Sequence, residues 1–208
     1  MSFDPKVVRR AVRHLRASDP VMCDVIDRMG PFTMRRSRRY FQSLSRAIVG
    51  QQISGKAAAS IWTRLQDSVR PRHITAETIV AMSVDELRST GISPQKASYL
   101  HDLAARVQSG SLQLNRLSQH TDDRVIEQLV EVKGIGVWTA QMFLMFSLGR
   151  LDVFPHGDLG IRTAIRDLYG LDELPDQKTA EPIAEPWRPY ATIASWYLWR
   201  STDEDDSW

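Results

Sequence analysis

Apolar residues recur at intervals of three and four positions in short runs along almost the whole chain. Phe41, Leu44 and Ile48 make one such run, and Ile161 and Ile165 belong to another. This spacing places the apolar side chains on one face of an α-helix. The strict alternation that marks a half-buried strand is not convincing anywhere. The sequence therefore predicts an all-α protein.

Capping residues mark where these helices begin. The pairs Asp4-Pro5, Asp19-Pro20 and Ser93-Pro94 combine an N-cap residue with proline at the first helical position. Ser83 is followed three residues later by Glu86, which is the pattern of a capping box. The chain is therefore expected to form a series of separate helices rather than a few long ones.

Composition limits the classes of protein that fit. The chain has 208 residues, is 42% hydrophobic and carries a net charge of +2, with a pI near 8.8, which permits a nucleic-acid partner without requiring one. A single cysteine, Cys23, excludes an intrachain disulfide framework and a four-cysteine cluster. No apolar run reaches the length of a membrane span, and the N-terminus lacks a signal-like core. These features favour a soluble, intracellular protein with no membrane partner.

Two glycines separated by one residue interrupt the helical pattern near the middle of the chain. Gly134 and Gly136 follow Lys133 and precede a helix that starts at about Val137. Such a turn can adopt positive φ and lets another backbone approach closely. The N–H groups at the start of the following helix suit a phosphate, and Lys133 adds a positive charge. The same pattern is common in ordinary tight connections, so on its own it leaves both interpretations open.

Two further polar features are ambiguous when read alone. Asp158 lies in a Pro/Gly loop directly before a helical run, where aspartate usually serves only as an N-cap. Gln51 and Gln52 lie in a short polar turn between two strongly apolar helices. That turn suits an exposed contact, but spacing alone favours an ordinary loop.

A family resemblance gives these features a common meaning. The chain resembles the helix-hairpin-helix-Gly/Pro/Asp superfamily of DNA glycosylases in residues 134–140 (GIGVWTA), residues 152–155 (DVFP) and Asp158. Within it, the nearest branch is the 3-methyladenine DNA glycosylase II family. Residues 50–58 (GQQISGKAA) resemble that branch's DNA-wedge region, and residues 186–190 (PWRPY) with Trp196 resemble its C-terminal helix. The resemblance covers roughly residues 40–200.

The resemblance implies a compact, all-helical form of the fold, because too few residues precede Tyr40 for the β-rich domain of two-domain members. We expect residues 1–208 to form a single glycosylase unit of two small helical subdomains with the active site between them. The hairpin is expected at residues 129–140, with the N- and C-terminal segments packed together and residues 203–208 forming an acidic tail.

The resemblance also implies roles for individual residues. Asp158 is expected to be catalytic, and Gln52 is favoured over Gln51 as the DNA wedge. The expected base pocket comprises Trp138, Trp196, Met142 and Leu159, and the phosphate-binding hairpin comprises Lys133, Gly134, Ile135 and Gly136. A structural monovalent cation is expected on the carbonyls of Val130, Val132 and Gly134, and no catalytic metal or cofactor is expected. Three other tryptophans are assigned to core packing: Trp62, Trp187 and Trp199.

Departures from the family pattern narrow the expected chemistry. Bifunctional members carry a nucleophilic lysine where this chain has Trp138, and an indole cannot form a Schiff base. Water is therefore the expected nucleophile and an abasic site the expected product. The superfamily's iron–sulfur cluster is excluded, since one cysteine cannot hold it. Met142 and Leu159 replace aromatic residues of the family and thin the expected cage around the base.

The sequence therefore predicts a monofunctional glycosylase that removes alkylated purines, of the 3-methyladenine and 7-methylguanine type, from double-stranded DNA. A glycosylase for uracil, hypoxanthine or oxidised guanine remains an alternative, as does a non-catalytic helix-hairpin-helix DNA-binding module. We expect a monomer, located with the nucleoid of a prokaryotic cell or in the nucleus of a eukaryotic one.

Overall fold

The structure, a computed structural model, describes residues 2–202, so the predicted acidic tail lies outside the described residues. The prediction of an all-α fold is confirmed. Within the described range, β pairing is limited to one isolated bridge between Ser2 and Arg35. None of the helices between residues 2 and 202 combines the length and the apolar character that crossing a membrane requires.

Twelve α-helices make up most of the described chain. In order they are α1 (Pro5–Ser18), α2 (Pro20–Met29), α3 (Tyr40–Gly50), α4 (Gly55–Ser68), α5 (Ala76–Ala81), α6 (Val84–Ser89), α7 (Pro94–Gln108), α8 (Asp122–Val130), α9 (Val137–Phe143), α10 (Leu159–Tyr169), α11 (Gln177–Ala184) and α12 (Ala191–Thr202). Short 3₁₀ segments occur at Leu114–Gln119 and Glu185–Trp187, and a π-helical segment occurs at Leu144–Leu148.

The predicted helix starts are confirmed by the capping contacts. Asp4, Asp19 and Ser93 each accept a hydrogen bond from a backbone N–H in the first turn of the helix that follows. In the capping box, Ser83 N donates to Glu86 Oε2 at 2.7 Å, and Glu86 N donates to Ser83 Oγ at 3.2 Å. The short polar side chains thus satisfy backbone donors that the helices leave unpaired.

The chain divides into two compact units. The first combines residues up to Arg36 with residues from Leu144 onward, and the second is Ser37–Phe143. The second unit is therefore an insertion, in sequence, between the two segments of the first.

Helix α7 is the central support of the second unit. It packs against α3, α5 and α6, and its apolar face is fully buried through Ala97, Leu100 and Leu103. Helix α3 also packs against α4 and α9, and buries Leu44 and Ile48. These contacts connect the polar turn after α3 and the hairpin before α9 to the same core.

Helix α12 is the corresponding support of the first unit. It packs against α10, α2 and α1, and eight consecutive residues, 191–198, are buried. A helix buried on almost every side lacks the usual polar face. Its residue Trp196 packs edge-on against Phe32 and Tyr197, with ring centroids 4.9 Å apart in both pairs.

A buried carboxylate, Asp19, connects the two segments of the first unit. Besides capping α2 through Val21 N and Met22 N, it accepts hydrogen bonds from Trp187 Nε1 at 2.7 Å and from the Tyr169 hydroxyl. Burial, together with the bond to Asp19, raises the pKa of Tyr169, so the phenol stays protonated and continues to donate. A buried charge is tolerated here because donors surround it.

We expect Asp19→Asn to lower the free energy of unfolding by about 1–3 kcal/mol. The asparagine NH2 group would replace one acceptor oxygen and would face N–H or O–H donors that it cannot accept from. Chemical denaturation monitored by circular dichroism measures the change. Asp27→Asn is the matched control, since Asp27 pairs with Arg16 on the surface and such pairs contribute about 0–1 kcal/mol. Equal stability of the Asp19 variant and the wild type would contradict this account.

Candidate active site

Asp158 is fixed at the start of α10 by two hydrogen bonds to one oxygen. Its Oδ1 accepts from Ile161 N at 2.9 Å, which is the N-cap contact, and from Trp199 Nε1 at 2.9 Å. The cap places the carboxylate at the positive end of the helix dipole, where a negative charge is favoured. The indole donor, which comes from α12, restricts the carboxylate further and adds a second contact to the N-cap bond.

The core-packing assignment of Trp199 is wrong, because this indole is only partly buried and its N–H binds Asp158. Its ring stacks on Phe146, with centroids 5.9 Å apart and an interplanar angle of 24°. Gly160 makes room for it: a Cβ on that residue would lie 3.2 Å from both Asp158 Oδ1 and Trp199 Cδ1. Nothing in the spacing of α12 distinguishes this tryptophan from a core residue; only the fold pairs it with Asp158.

The two glycines of the hairpin have different structural roles. Gly134 adopts φ +80°, and a Cβ on it would overlap the ring of Tyr99. Gly136 does not have a positive φ, is exposed, and has open space where a Cβ would lie. Gly134 is therefore required by the protein's own packing, whereas Gly136 leaves backbone accessible to something outside the chain.

The hairpin turn is held by hydrogen bonds that use two of its amides. Lys133 N donates to Asp102 Oδ2 at 2.9 Å, and Ile135 N donates to Val132 O at 3.0 Å. Ile135 itself is buried. Of the four residues predicted to grip phosphate, Lys133 can thus contribute its exposed side chain, and Ile135 anchors the turn.

Gln51 and Gln52, predicted together as the wedge, are held differently. Gln51 Nε2 donates to Gly134 O at 2.6 Å, so this side chain connects the turn to the hairpin. Gln52 is exposed and has φ +56°, and within residues 2–202 it is the one non-glycine residue with positive φ. Such a conformation is uncommon for a residue with a Cβ and marks a strained turn.

The residues predicted to line the base pocket differ in exposure. In the second unit, Trp138 is 48% exposed at the start of α9, and Met142 is partly buried one turn later. In the first unit, Leu159 is 64% exposed beside Asp158, whereas Trp196 is only 8% exposed within its aromatic cluster. The core assignments of Trp62 and Trp187 are confirmed, since both are buried.

Two of the three carbonyls predicted to bind a cation already accept hydrogen bonds from the protein. Gly134 O accepts from Gln51 Nε2, and Val132 O accepts from Ile135 N. A carbonyl oxygen has two lone pairs, so one hydrogen bond does not prevent it from binding a hard cation. The donor chemistry therefore fits a monovalent cation that stabilises the turn.

Comparison with known families gives these features their context. The model of the HhH-GPD superfamily of base excision DNA repair proteins matches residues 45–189. This range includes the hairpin, Asp158 and the turn at Gln51 and Gln52 that was predicted as the wedge, called the wedge turn below. The chain belongs to this superfamily. The resemblance read from the sequence is thereby confirmed.

Individual relatives resemble the chain over nearly its full length. DNA-3-methyladenine glycosylase 1 of Schizosaccharomyces pombe is 32% identical over 93% of this chain and 87% of its own. A solved S. pombe 3-methyladenine DNA glycosylase in complex with abasic DNA is 32% identical, with a TM-score of 0.83 over 93% of this chain and 96% of that one. A DNA-3-methyladenine glycosidase of Bacillus halodurans is 37% identical, with a TM-score of 0.84 over 92% and 88%.

The two hairpin glycines are expected to respond differently to substitution. Gly134→Ala should destabilise the protein by more than about 1–2 kcal/mol, the usual cost of a left-handed conformation, because the new methyl group also meets Tyr99. Gly136→Ala should leave stability nearly unchanged. Thermal unfolding of the two variants provides the comparison, and equal losses would show that the turn is not built as described.

Proposed function

We propose that this protein is a monofunctional DNA glycosylase that hydrolyses the N-glycosidic bond of alkylated purines and leaves an abasic site. The observation that carries the proposal is the Asp158 carboxylate, which is fixed at a helix N-terminus by two donors in a member of the HhH-GPD superfamily. The near full-length relatives with 3-methyladenine in their names support the substrate class.

The proposed reaction needs one anion fixed beside the deoxyribose. Positive charge develops on the deoxyribose as the base departs, and a fixed carboxylate stabilises that charge more in the transition state than in the ground state. The same group can orient or deprotonate the attacking water. Because Ile161 N and Trp199 Nε1 hold Asp158 Oδ1, the anion needs little reorganisation during the reaction.

Because Trp138 cannot attack the sugar, water is the nucleophile in the proposed reaction. The resemblance assigns this position to the lysine that attacks the sugar in bifunctional members, and tryptophan has no amine to form the adduct. The reaction therefore stops at the abasic site with the DNA strand intact.

Alkylated purines suit the aromatic residues assigned to the base pocket. Alkylation of a ring nitrogen makes a purine positively charged or electron-poor, and a cation over an indole face gains about 0.5–2 kcal/mol. Alkylation also weakens the glycosidic bond, so a single carboxylate is enough to catalyse its cleavage. We assign this role to Trp138, about half of whose surface is exposed. Uracil, hypoxanthine and oxidised guanine lack this charge and are the less favoured substrates.

Double-stranded DNA is the partner of this activity. We assign the hairpin, with Lys133 and the open backbone at Gly136, to sequence-independent phosphate contacts, which position DNA without reading bases. Gln52 is assigned to the space that a flipped base leaves in the stack. A monovalent cation on Val130, Val132 and Gly134 would stabilise the hairpin and take no part in the reaction. We propose that the enzyme acts as a monomer. Its place in the cell is with the chromosome, in a prokaryotic nucleoid or a eukaryotic nucleus.

A non-catalytic DNA-binding module is the main alternative, and the charge of Asp158 argues against it. Binding to phosphates gains nothing from an anion, whereas cleavage of the glycosidic bond requires one.

Asp158→Asn separates these two functions. The variant keeps the shape and the N-cap oxygen but loses the charge that opposes the developing sugar cation. We expect base release to slow by about 10²–10³-fold or more, while binding to damaged duplex stays equal or improves. Single-turnover release of 3-methyladenine and 7-methylguanine with excess enzyme measures the chemical step without product release.

Asp176→Asn is the matched control for that experiment. Asp176 is the N-cap of α11, and its bond from Thr179 N at 2.9 Å lowers its pKa, so it too is an anionic cap in the same unit. It should release bases at the wild-type rate. Near wild-type release by the Asp158 variant would reduce Asp158 to a helix cap and remove the catalytic assignment.

Borohydride trapping tests the role of Trp138. With water as the nucleophile, reduction during the reaction should trap no covalent protein–DNA adduct, and strands should break only after alkali or heat. A known bifunctional glycosylase serves as the positive control for trapping. An adduct with this protein would mean that another amine, such as Lys133, attacks the sugar.

A further inference from the structure

One face of α7 carries four polar residues that contact two different DNA-facing segments. Lys96, Tyr99, Asp102 and Arg106 follow one another at spacings of three, three and four, so they lie along a single line on the helix. At its Lys96 end this line borders the apolar face, formed by Ala97, Leu100 and Leu103, that packs into the core of the second unit.

The first end of this line holds the turn after α3. Lys96 Nζ donates to Val49 O at 2.8 Å and to Gln51 O at 2.6 Å. These carbonyls lie at the C-terminal end of α3, where a cation is favoured by the helix dipole. The ammonium group thus caps the C-terminal end of α3 and fixes the backbone directly before Gln52.

The other end of the line holds the hairpin. Asp102 Oδ2 accepts from Lys133 N at 2.9 Å and from Arg106 Nε at 3.1 Å, and Arg106 Nη1 pairs with Glu131 Oε2 at 3.2 Å. Between the two ends, the ring of Tyr99 fills the space at Gly134 where a Cβ would lie.

A cross-connection joins the two segments directly. Gln51 Nε2 donates to Gly134 O at 2.6 Å, so the wedge turn and the hairpin turn are linked to each other as well as to α7. The three pieces form a closed frame. In a closed frame, the distance between the exposed Gln52 side chain and the hairpin backbone is set before any DNA binds.

This fixed distance bears on base flipping. Insertion of a side chain into the base stack and the grip on the backbone must act on the same nucleotide, and flipping costs a few kcal/mol of unstacking. Gln52 is also held at φ +56°, a conformation that persists only when its surroundings impose it. The two bonds from Lys96 to the carbonyls on either side of Gly50 supply that constraint.

We propose that Lys96 is a positioning residue for base flipping, which holds Gln52 in its inserting conformation at a distance from the hairpin set by α7. The proposal rests on the function proposed above and adds to it a residue that touches neither the base nor the sugar. Burial lowers the pKa of Lys96, in keeping with an ammonium group whose donors point at protein carbonyls rather than at solvent.

The test compares Lys96→Met, which removes the donors, with Lys96→Arg, which keeps a donor and the charge. A duplex with a stable abasic-site analogue beside 2-aminopurine reports unstacking by fluorescence, and single-turnover release of 7-methylguanine reports activity. For Lys96→Met we expect both the fluorescence change and the release rate to fall about tenfold at saturating enzyme, with at least partial recovery in Lys96→Arg. The exposed Lys178, on α11, provides the control Lys178→Met, which should match the wild type.

Coupling to Gln52 distinguishes positioning from a general loss of stability. In a Gln52→Ala background, Lys96→Met should add less than about twofold to the defect, because its effect acts through Gln52. Full multiplication of the two defects, or an unchanged rate in Lys96→Met, would overturn the proposal.

Salt dependence distinguishes positioning from a direct phosphate contact. If Lys96 contacted a DNA phosphate, its loss would make the negative slope of the log binding constant against log salt concentration about 0.9 less steep. Saturating enzyme would then restore the rate of base release. A positioning residue leaves the slope unchanged and the rate low, and the opposite result would overturn the proposal.

A second variant guards against misfolding of the first. Asp102→Ala removes the acceptor for Lys133 N and the partner of Arg106 at the other end of the frame, and leaves the contacts of Lys96 intact. It should show the same loss of unstacking, with thermal unfolding close to wild type, and wild-type unstacking would overturn the closed frame.

The wild-type result separates this proposal from the function on which it rests. Failure of the wild type to release methylated purines would refute the proposed function, whereas the fluorescence change on the abasic duplex reads the wedge independently of base release.

Discussion

The Asp158 carboxylate and its two hydrogen bonds are the constraint on which the proposed chemistry depends. One oxygen accepts from Ile161 N within α10 and from Trp199 Nε1 of α12, which joins a helix start to the buried helix of the first unit. Gly160 gives the two groups room, because a Cβ there would lie in tight contact, at 3.2 Å, with both Asp158 Oδ1 and Trp199 Cδ1. A residue that serves as a helix cap is thereby held in one position, as the proposed electrostatic role requires.

The part of the second unit that we assign to DNA binding follows the same principle of preorganisation. The hairpin turn, the wedge turn and α7 are connected by hydrogen bonds whose partners all lie within that unit. Polar side chains that would ordinarily be solvated are used here to fix loops, which are otherwise the most mobile parts of a fold. The positive φ of Gln52 directly follows the Gln51 carbonyl that Lys96 binds, and the proposed positioning role rests on this arrangement.

The sequence predicts the fold well and the site only in part. Helical spacing and caps such as Asp19 and Ser93 are local signals, and local signals set where a helix begins. The resemblance supplied Asp158 and the hairpin. The partners of these groups could not be predicted, because Trp199, Lys96 and Asp102 make contacts across long stretches of chain. In sequence, Trp199 has the spacing of a core residue, and nothing marks Lys96 as a donor to the preceding helix end.

Gln51 and Gln52 also show that a sequence alone does not reveal the contacts of each residue. They are adjacent and chemically identical, and the sequence offers no reason to separate Gln51 from Gln52 by structure. The fold turns the side chain of Gln51 to the Gly134 carbonyl and leaves Gln52 exposed with positive φ. The preference for Gln52 as the wedge thus gains a physical argument and remains a prediction.

Base release by the wild-type protein from randomly methylated DNA, resolved by chromatography beside duplexes that contain uracil or hypoxanthine, tests the central claim most directly. We predict release of 3-methyladenine and 7-methylguanine as free bases, with little or no release of uracil or hypoxanthine under the same conditions. Release of uracil or hypoxanthine without methylated purines would contradict the proposed substrate class, and release of no base from any of these substrates would contradict the proposed enzyme.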